Sequence, residues 1–468
     1  MKRTRSLYVL LAILGVAAVA TTGVLLVQQE QERISASDEI VMEVAADSVQ
    51  SLSWEYESET LSFHKDEEWV YDDDEAFPVD QDTIGEYLDL FSAFGVTFVI
   101  EDVTDYGQYG LSDPVATVRF STADESYEVL LGDFSTMDSQ RYVSIGDGNV
   151  YLVENDPLEY FDATLSDVID NDEAPSFEDV SEITFSGTEN YWIEHEEDSP
   201  DAYTADDVYF AQRSASDGGT LVLDTSRVDA YLSTISSLGL TDYVTYDATD
   251  EELSGYGLDS PELTVTVDYT ATDDEGAETS ESFELNVSRD PEELASADDD
   301  AGEDEEITAY ARVGGSPIVY RITGEEYTAL MAASADSLRH LEVLPVDFDE
   351  VEQIDVTLDG SDYSFTSEQT NDGRSYSYDG EEVDFEDVQA ALQALSADEF
   401  TEETPTQSQE IALTVHLDNE NHPEIEIEVY RYDGTDCLVV VDGEPVSLVP
   451  RSQVVDLVES INGIVLTQ

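Results

Sequence analysis

Apolar positions along the chain recur with two periods, and the order in which those periods alternate appears three times. Each copy opens on a strand whose apolar residues stand three apart: Val49 and Leu52, Val180 and Ile183, Val351 and Ile354. A second strand follows at Leu61-Ser62-Phe63, Tyr191-Trp192-Ile193 and Tyr363-Ser364-Phe365, and an aromatic third around Trp69-Val70-Tyr71, Val208-Tyr209-Phe210 and Tyr376-Ser377-Tyr378. The period then becomes helical. Asp80, Asp224 and Asp384 are placed to cap a helix, because a side-chain oxygen there satisfies the free N–H groups of the first turn. Four residues on stand Ile84, Val228 and Val388; eight on, Leu88, Leu232 and Leu392; eleven on, Phe91, Ile235 and Leu395. That spacing draws one apolar helix face.

After the helix each copy continues with a strand (97–100 in the first, 243–246 in the second) and then a second strand. A closing pair comes last: 127–131 with 150–153, 283–287 with 319–322, and 425–430 with 446–449. Short helices are expected at 158–169, 325–333 and 452–461. The order βββ-α-ββββ-α with short loops predicts an α+β fold, namely three tandem units of mostly antiparallel sheet, each with a packed helix and one covered face. The expected divisions are 45–174, 175–346 and 347–468.

Two copies share a corner: Tyr109-Gly110-Leu111-Ser112-Asp113-Pro114 and Tyr256-Gly257-Leu258-Asp259-Ser260-Pro261, each running on to Thr-Val two residues later. Gly admits a positive φ, the polar pair can satisfy local backbone groups, and Pro biases the residue before it towards extended geometry. Leu111 and Leu258 would pin the turn to a core, with Tyr109 and Tyr256 beside them. Gly and Pro here serve geometry, so the corner reads as structural. The third copy has Pro405-Thr406-Gln407-Ser408 instead. The corner, with Trp69 upstream and Val150-Tyr151-Leu152-Val153 downstream, resembles the domain-of-unknown-function family numbered 4340 over about residues 45–340. The resemblance implies a membrane-anchored bacterial protein exposed outside the cytoplasm, with some relatives encoded near ABC-type transporters. It supplies no catalytic residues.

Lys2, Arg3 and Arg5 precede an uncharged run from Leu7 to Val27. As a helix rising 1.5 Å per residue, the run is about 31 Å long, enough to span a hydrocarbon core. Basic residues before it and acidic ones after it place residues 1–6 in the cytoplasm and the bulk outside. Ala18-Val19-Ala20 has the small-x-small form of a signal-peptide cleavage site. The apolar run continues past it through Gly23-Val24-Leu25-Leu26-Val27, which favours an uncleaved anchor. No Cys follows, so a lipoprotein anchor is excluded. Residues 28–44 read as a stalk.

Charge narrows the partners. The chain carries 111 acidic and 16 basic residues, a formal −95, and all the acidic ones lie beyond Val27. Such a surface repels nucleic acid and anionic headgroups. It is expected to gather divalent cations diffusely. Hydrophobic residues at 41% nevertheless give the chain enough to bury. The single Cys437, in the strand-like run Asp436 to Val441, reads as a small buried residue. The second copy carries insertions at 196–206, 271–280 and 295–306. The last is an acidic low-complexity loop without the order of a Ca²⁺ loop.

No catalytic pattern stands out. His64, His195, His340, His416 and His422 include no pair at helical zinc spacing. Ser62-Phe63-His64-Lys65 matches Ser-x-x-Lys but falls in a strand. No cofactor is implied, and carboxylate pairs are too common here to argue for a glycosidase. The expectation is a non-enzymatic, membrane-anchored extracytoplasmic binding or scaffold protein of the bacterial envelope, serving an ABC-type transport system or another envelope protein. The alternative is a cell-envelope hydrolase with a carboxylate site between units.

Overall fold

The computed structural model describes residues 39–101, 103, 105–153, 155–213, 220–273, 276–296, 307–370 and 373–466. The anchor run Leu7–Val27, the cleavage-like site at Ala20, stalk residues 28–38 and acidic-loop residues 297–306 lie outside the described residues. Among those described, no helix is long and apolar enough to cross a membrane.

Three nine-stranded sheets form, one per tandem copy. The first contains β1 (Glu39–Met42), β2 (Val49–Tyr56), β3 (Glu59–Lys65), β4 (Trp69–Tyr71), β5 (Phe94–Ile100), β6 (Ala116–Thr122), β7 (Ser126–Ser135), β8 (Gln140–Ser144) and β9 (Val150–Val153), in the order β1-β5-β9-β8-β7-β6-β2-β3-β4. The second contains β10 (Val180–Gly187), β11 (Tyr191–His195), β12 (Tyr209–Gln212), β13 (Leu221–Val222), β14 (Tyr243–Thr245), β15 (Leu263–Thr272), β16 (Glu278–Arg289), β17 (Ala309–Val313) and β18 (Val319–Ile322). Its order is β13-β12-β11-β10-β15-β16-β17-β18-β14. The third contains β19 (Val351–Leu358), β20 (Ser361–Thr370), β21 (Gly373–Tyr378), β22 (Glu381–Val383), β23 (Glu399–Phe400), β24 (Gln409–Leu417), β25 (Glu424–Arg431), β26 (Asp436–Val441) and β27 (Glu444–Pro450). Its order is β22-β21-β20-β19-β24-β25-β26-β27-β23. By compactness the chain forms two units, one ending at Asp172 and including 241–247, the other made of 173–240 and 248–468.

Apart from the edge strands β1, β13 and β22, the three orders are identical. In each, three strands run outward by hairpins, a helix separates them from a strand at the opposite edge, and the chain then returns to the centre. There β6, β15 or β24 pairs antiparallel with the opening strand β2, β10 or β19. The register of that pairing shifts at one place in all three: between Val49 and Ser51, Val180 and Glu182, Val351 and Gln353. This explains the opening spacing. In a regular strand, residues three apart face opposite sides. One extra residue in a bulge returns both to the same side. Val49, Leu52, Val180, Ile183, Val351 and Ile354 are accordingly all buried.

The three helices begin where the carboxylates stand. Asp80 accepts the N–H groups of Asp82 and Thr83 before helix Gln81–Asp89, and Asp224 accepts that of Ser226 before helix Thr225–Ser236. The third helix, Glu386–Gln393, starts one residue later than expected. Phe385 takes the cap position because its ring is buried and stacked on Tyr376 with centroids 4.1 Å apart. Asp384 still accepts the Glu386 N–H at 3.2 Å. The predicted faces Ile84 and Leu88, Val228 and Leu232, and Val388 and Leu392 are buried, as are Phe91, Ile235 and Leu395. Tyr87 meets Trp54 of β2 edge-on, and Tyr231 meets Phe185 of β10.

Four other expectations need correction. The closing strands do not pair with each other, because β8, β17 and β26 lie between them. In β8 the apolar signal is diluted by Arg141, which occupies a buried position. Glu39–Met42, read as stalk, is an edge strand on β5. The helix expected over 158–169 is only Leu158–Phe161, followed by a 3-10 turn at Leu165–Asp167. There the carboxylate of Asp167 takes the Thr164 N–H and hydroxyl and stops continuation. The insertion at 271–280 lengthens the β15–β16 hairpin instead of adding a loop.

Replacing Leu88, Leu232 or Leu392 by Ala should cost about 2–5 kcal/mol each, and Asp80→Ala about 1 kcal/mol. Denaturant unfolding checks both, and midpoints that ignored the leucine changes would place those side chains outside the core.

Candidate functional site

The corners are built from the backbone outward. In the first, Tyr106–Tyr109 forms a 3-10 turn, Gly110 takes φ 72°, and the Leu111 N–H donates to the Tyr106 carbonyl at 3.1 Å. In the second, helix Asp250–Gly255 leads to Gly257 at φ 74°, and the Leu258 N–H donates to the Leu253 carbonyl at 2.8 Å. Leu111 and Leu258 are buried, while Pro114 and Pro261 are half-buried. Tyr109 packs on Tyr142, and Tyr256 on Tyr310, with centroids 5.0 and 4.7 Å apart. The corner residues do come together, and what they hold is chain.

The partners facing each corner differ, and the sequence did not announce them. A Cβ on Gly132 would lie 2.2 Å from the Tyr109 carbonyl oxygen, so that strand lies flush against the turn. The matching position in the second copy is Ser288. Its hydroxyl donates to the Gly257 carbonyl at 3.0 Å and accepts the Glu262 N–H at 3.1 Å. The Glu262 carboxylate takes the Arg289 N–H and the Tyr327 hydroxyl. Beside the first corner, buried Arg141 bonds Asp156 at 2.6 Å and the Gly132 carbonyl at 2.7 Å. These polar groups fasten strands.

A different cluster forms where the second and third copies meet, inside one compact unit. The insertion at 196–206 reaches across. Tyr203 stacks on His422 at 4.7 Å, the Asn419 and Asn421 amides donate to the Tyr203 and Ser199 carbonyls, and the His422 Nε2 lies 3.1 Å from the Asp201 carbonyl. Asp207, only 3% exposed, anchors the insertion. Its carboxylate takes the Tyr203 and Thr204 N–H groups and meets the His340 Nε2 at 2.8 Å. Arg339 lies over the Phe400 ring at 4.2 Å and donates to Asp336 at 3.3 Å, a carboxylate that Arg213 also holds at 2.5 Å. Burial pulls the Arg339 guanidinium below its ordinary range, against the opposing pull of Asp336, and burial pushes the Tyr203 phenol up. A cavity of about 130 Å³ opens beside Arg339, His340, Phe400, Val441 and Ser447.

The remaining candidates stay scattered. His64 pairs with Asp72 at 2.6 Å, and that hydrogen bond holds its imidazole above the usual range. His416 lies between Asp355 and Glu424 at 3.0 and 3.2 Å. Ser62 and Lys65 lie within β3. Cys437 is buried, and burial pushes its thiol up to about 11. Among the described residues, no group of three or more His, Cys, Asp and Glu side chains could hold a metal ion.

The model of the domain of unknown function DUF4340 matches residues 69–261 and again 216–414. The chain belongs to that family. The two DUF4340 matches overlap, and each runs from one copy into the next, as tandem units require. The second match carries the family beyond residue 340 into the third copy. No curated protein and no solved structure matches the chain.

The corners of this DUF4340 protein should respond unequally to a methyl group. A Cβ at Gly110 would sit 2.7 Å from the Asp133 backbone nitrogen, whereas one at Gly257 would meet only side chains, at 3.2 Å or more. Both substitutions incur the left-handed penalty of roughly 1–2 kcal/mol. Gly110→Ala should therefore cost clearly more than Gly257→Ala in thermal unfolding, and equal losses would contradict the close approach.

Proposed function

We propose that this protein is a non-enzymatic extracytoplasmic scaffold of the bacterial cell envelope, held to the membrane by the Leu7–Val27 run and serving an ABC-type transport system or another envelope partner. One observation carries the reading: the insertion at 196–206 clamps the second copy to the third through the backbone carbonyls of Ser199, Asp201 and Tyr203. The loop ties two sheets of one compact unit together, which suits a scaffold. The hydrolase alternative calls for two neighbouring carboxylates with separated pKa values. Asp207, the buried carboxylate at this junction, is committed to His340 and two backbone N–H groups.

Protease added to intact, wall-stripped cells should remove the chain beyond Val27 and leave a membrane-bound stub. Complete protection would reverse the topology, and release of the intact sheets into the medium would replace the anchor with cleavage near Ala20.

A further inference from the structure

The three copies can be aligned through their hydrogen-bond registers, one strand at a time. In the first, Tyr56 faces Ala116, which faces Leu131, then Val143, then Tyr151. In the second the same row reads Gly187, Leu263, Val287, Ala311, Tyr320. In the third it reads Leu358, Ile411, Val429, Val439 and then Ser447. Tyr151 and Tyr320 are both buried and fill the end of their rows. The third copy places a serine where the others place a tyrosine, and this is where the cavity opens.

Ser447 is 1% exposed, and its hydroxyl has no hydrogen-bond partner among the described residues. Leaving a buried hydroxyl unpaired is unfavourable unless something enters to pair with it. Across the cavity stands Arg339, whose contact with Asp336 at 3.3 Å is long for a charged pair and goes to a carboxylate shared with Arg213. Val343, Val441 and Val446 supply apolar wall. A cation with donors to spare, an unpaired hydroxyl and an aliphatic stretch of wall fit one ligand class. Going beyond the scaffold reading, we propose that the cavity takes a short-chain aliphatic monocarboxylate. The carboxylate sits on Arg339 and Ser447, and the hydrocarbon tail lies on the valines. Glu342 is exposed at the mouth, and the chain repels anions at long range, so recognition acts by contact, within the Debye length of about 8 Å at ~0.15 M salt.

The test is thermal unfolding of the full chain in sodium butyrate against sodium chloride at matched ionic strength. Binding adds stability as RT ln(1 + [L]/Kd), so the Tm should rise with butyrate and saturate. Arg339→Gln should weaken the apparent affinity roughly tenfold or more, since it removes a charge-assisted contact. Ser447→Tyr, which restores the side chain of the other two copies, should abolish the response while keeping the unliganded Tm. If Arg339→Gln fails to fold, Ser447→Tyr decides the matter alone. A butyrate curve that superposes on the chloride curve would mean the cavity holds only water, and a response that survives Ser447→Tyr would place the ligand elsewhere; either overturns the site. Both outcomes leave the scaffold reading standing, because that reading falls only with the protease result on cells.

Discussion

The rest of the structure depends on one bulged pairing made three times, between the opening strand of each copy and the strand that returns to the sheet centre. Those two strands are separated in sequence by two or three further strands, a helix and one more strand. The pairing must therefore overcome the entropy of closing a long loop, a cost that grows only slowly with length. The bulge decides which side chains that closure buries. It turns Val49 and Leu52, and their counterparts, to the same face, where both are buried. Without it, one of each pair would face solvent. The four-strand meander that begins with the returning strand carries the register on across the sheet.

Against that fixed frame the copies vary. The first and second use a left-handed glycine to turn the chain back towards the centre, whereas the third reaches the same place through Pro405 to Ser408 without one. The corner thus refines the return path and is not required for it. The second copy spends an insertion on grasping the third through Tyr203 and Asp207. The third exchanges a core tyrosine position for Ser447 and gains a cavity. Divergence has settled on the seams between elements, where one side chain can change role without moving a strand.

Much of this was legible in the sequence, for a physical reason. A helix face is written by nearby residues, so the spacing from Asp80 through Ile84 to Leu88 was enough to place it, and the same holds for the other two copies. The spacing of three in the opening strands is also visible, but the bulge that explains it is set by a partner strand distant in sequence. What escaped was anything set by distant partners. β8 hides because Arg141 is buried only through its bonds to Asp156 and the Gly132 carbonyl. Glu39–Met42 becomes a strand only because β5 offers an edge. The junction cavity draws on residues near 340, 400 and 447, and no local pattern joins them. Ser447 becomes informative only once its register partners identify it as the counterpart of Tyr151 and Tyr320.

Cysteine pairs across the central pairing test the repeat most directly. Ser53 faces Arg119, Thr184 faces Thr266, and Asp355 faces Thr414 at equivalent positions of the three sheets. Directly opposed residues in antiparallel strands have Cα atoms about 4.5–5.5 Å apart, within the range that a disulfide accepts, and the native Cys437 is buried out of reach. Each double-cysteine variant is oxidised under mild conditions, and the cross-linked peptide is identified by mass. All three pairs should close without loss of the folded state. A third pair that stayed reduced while the first two closed would show that the copies do not share one register, and the account of three equivalent sheets would fail.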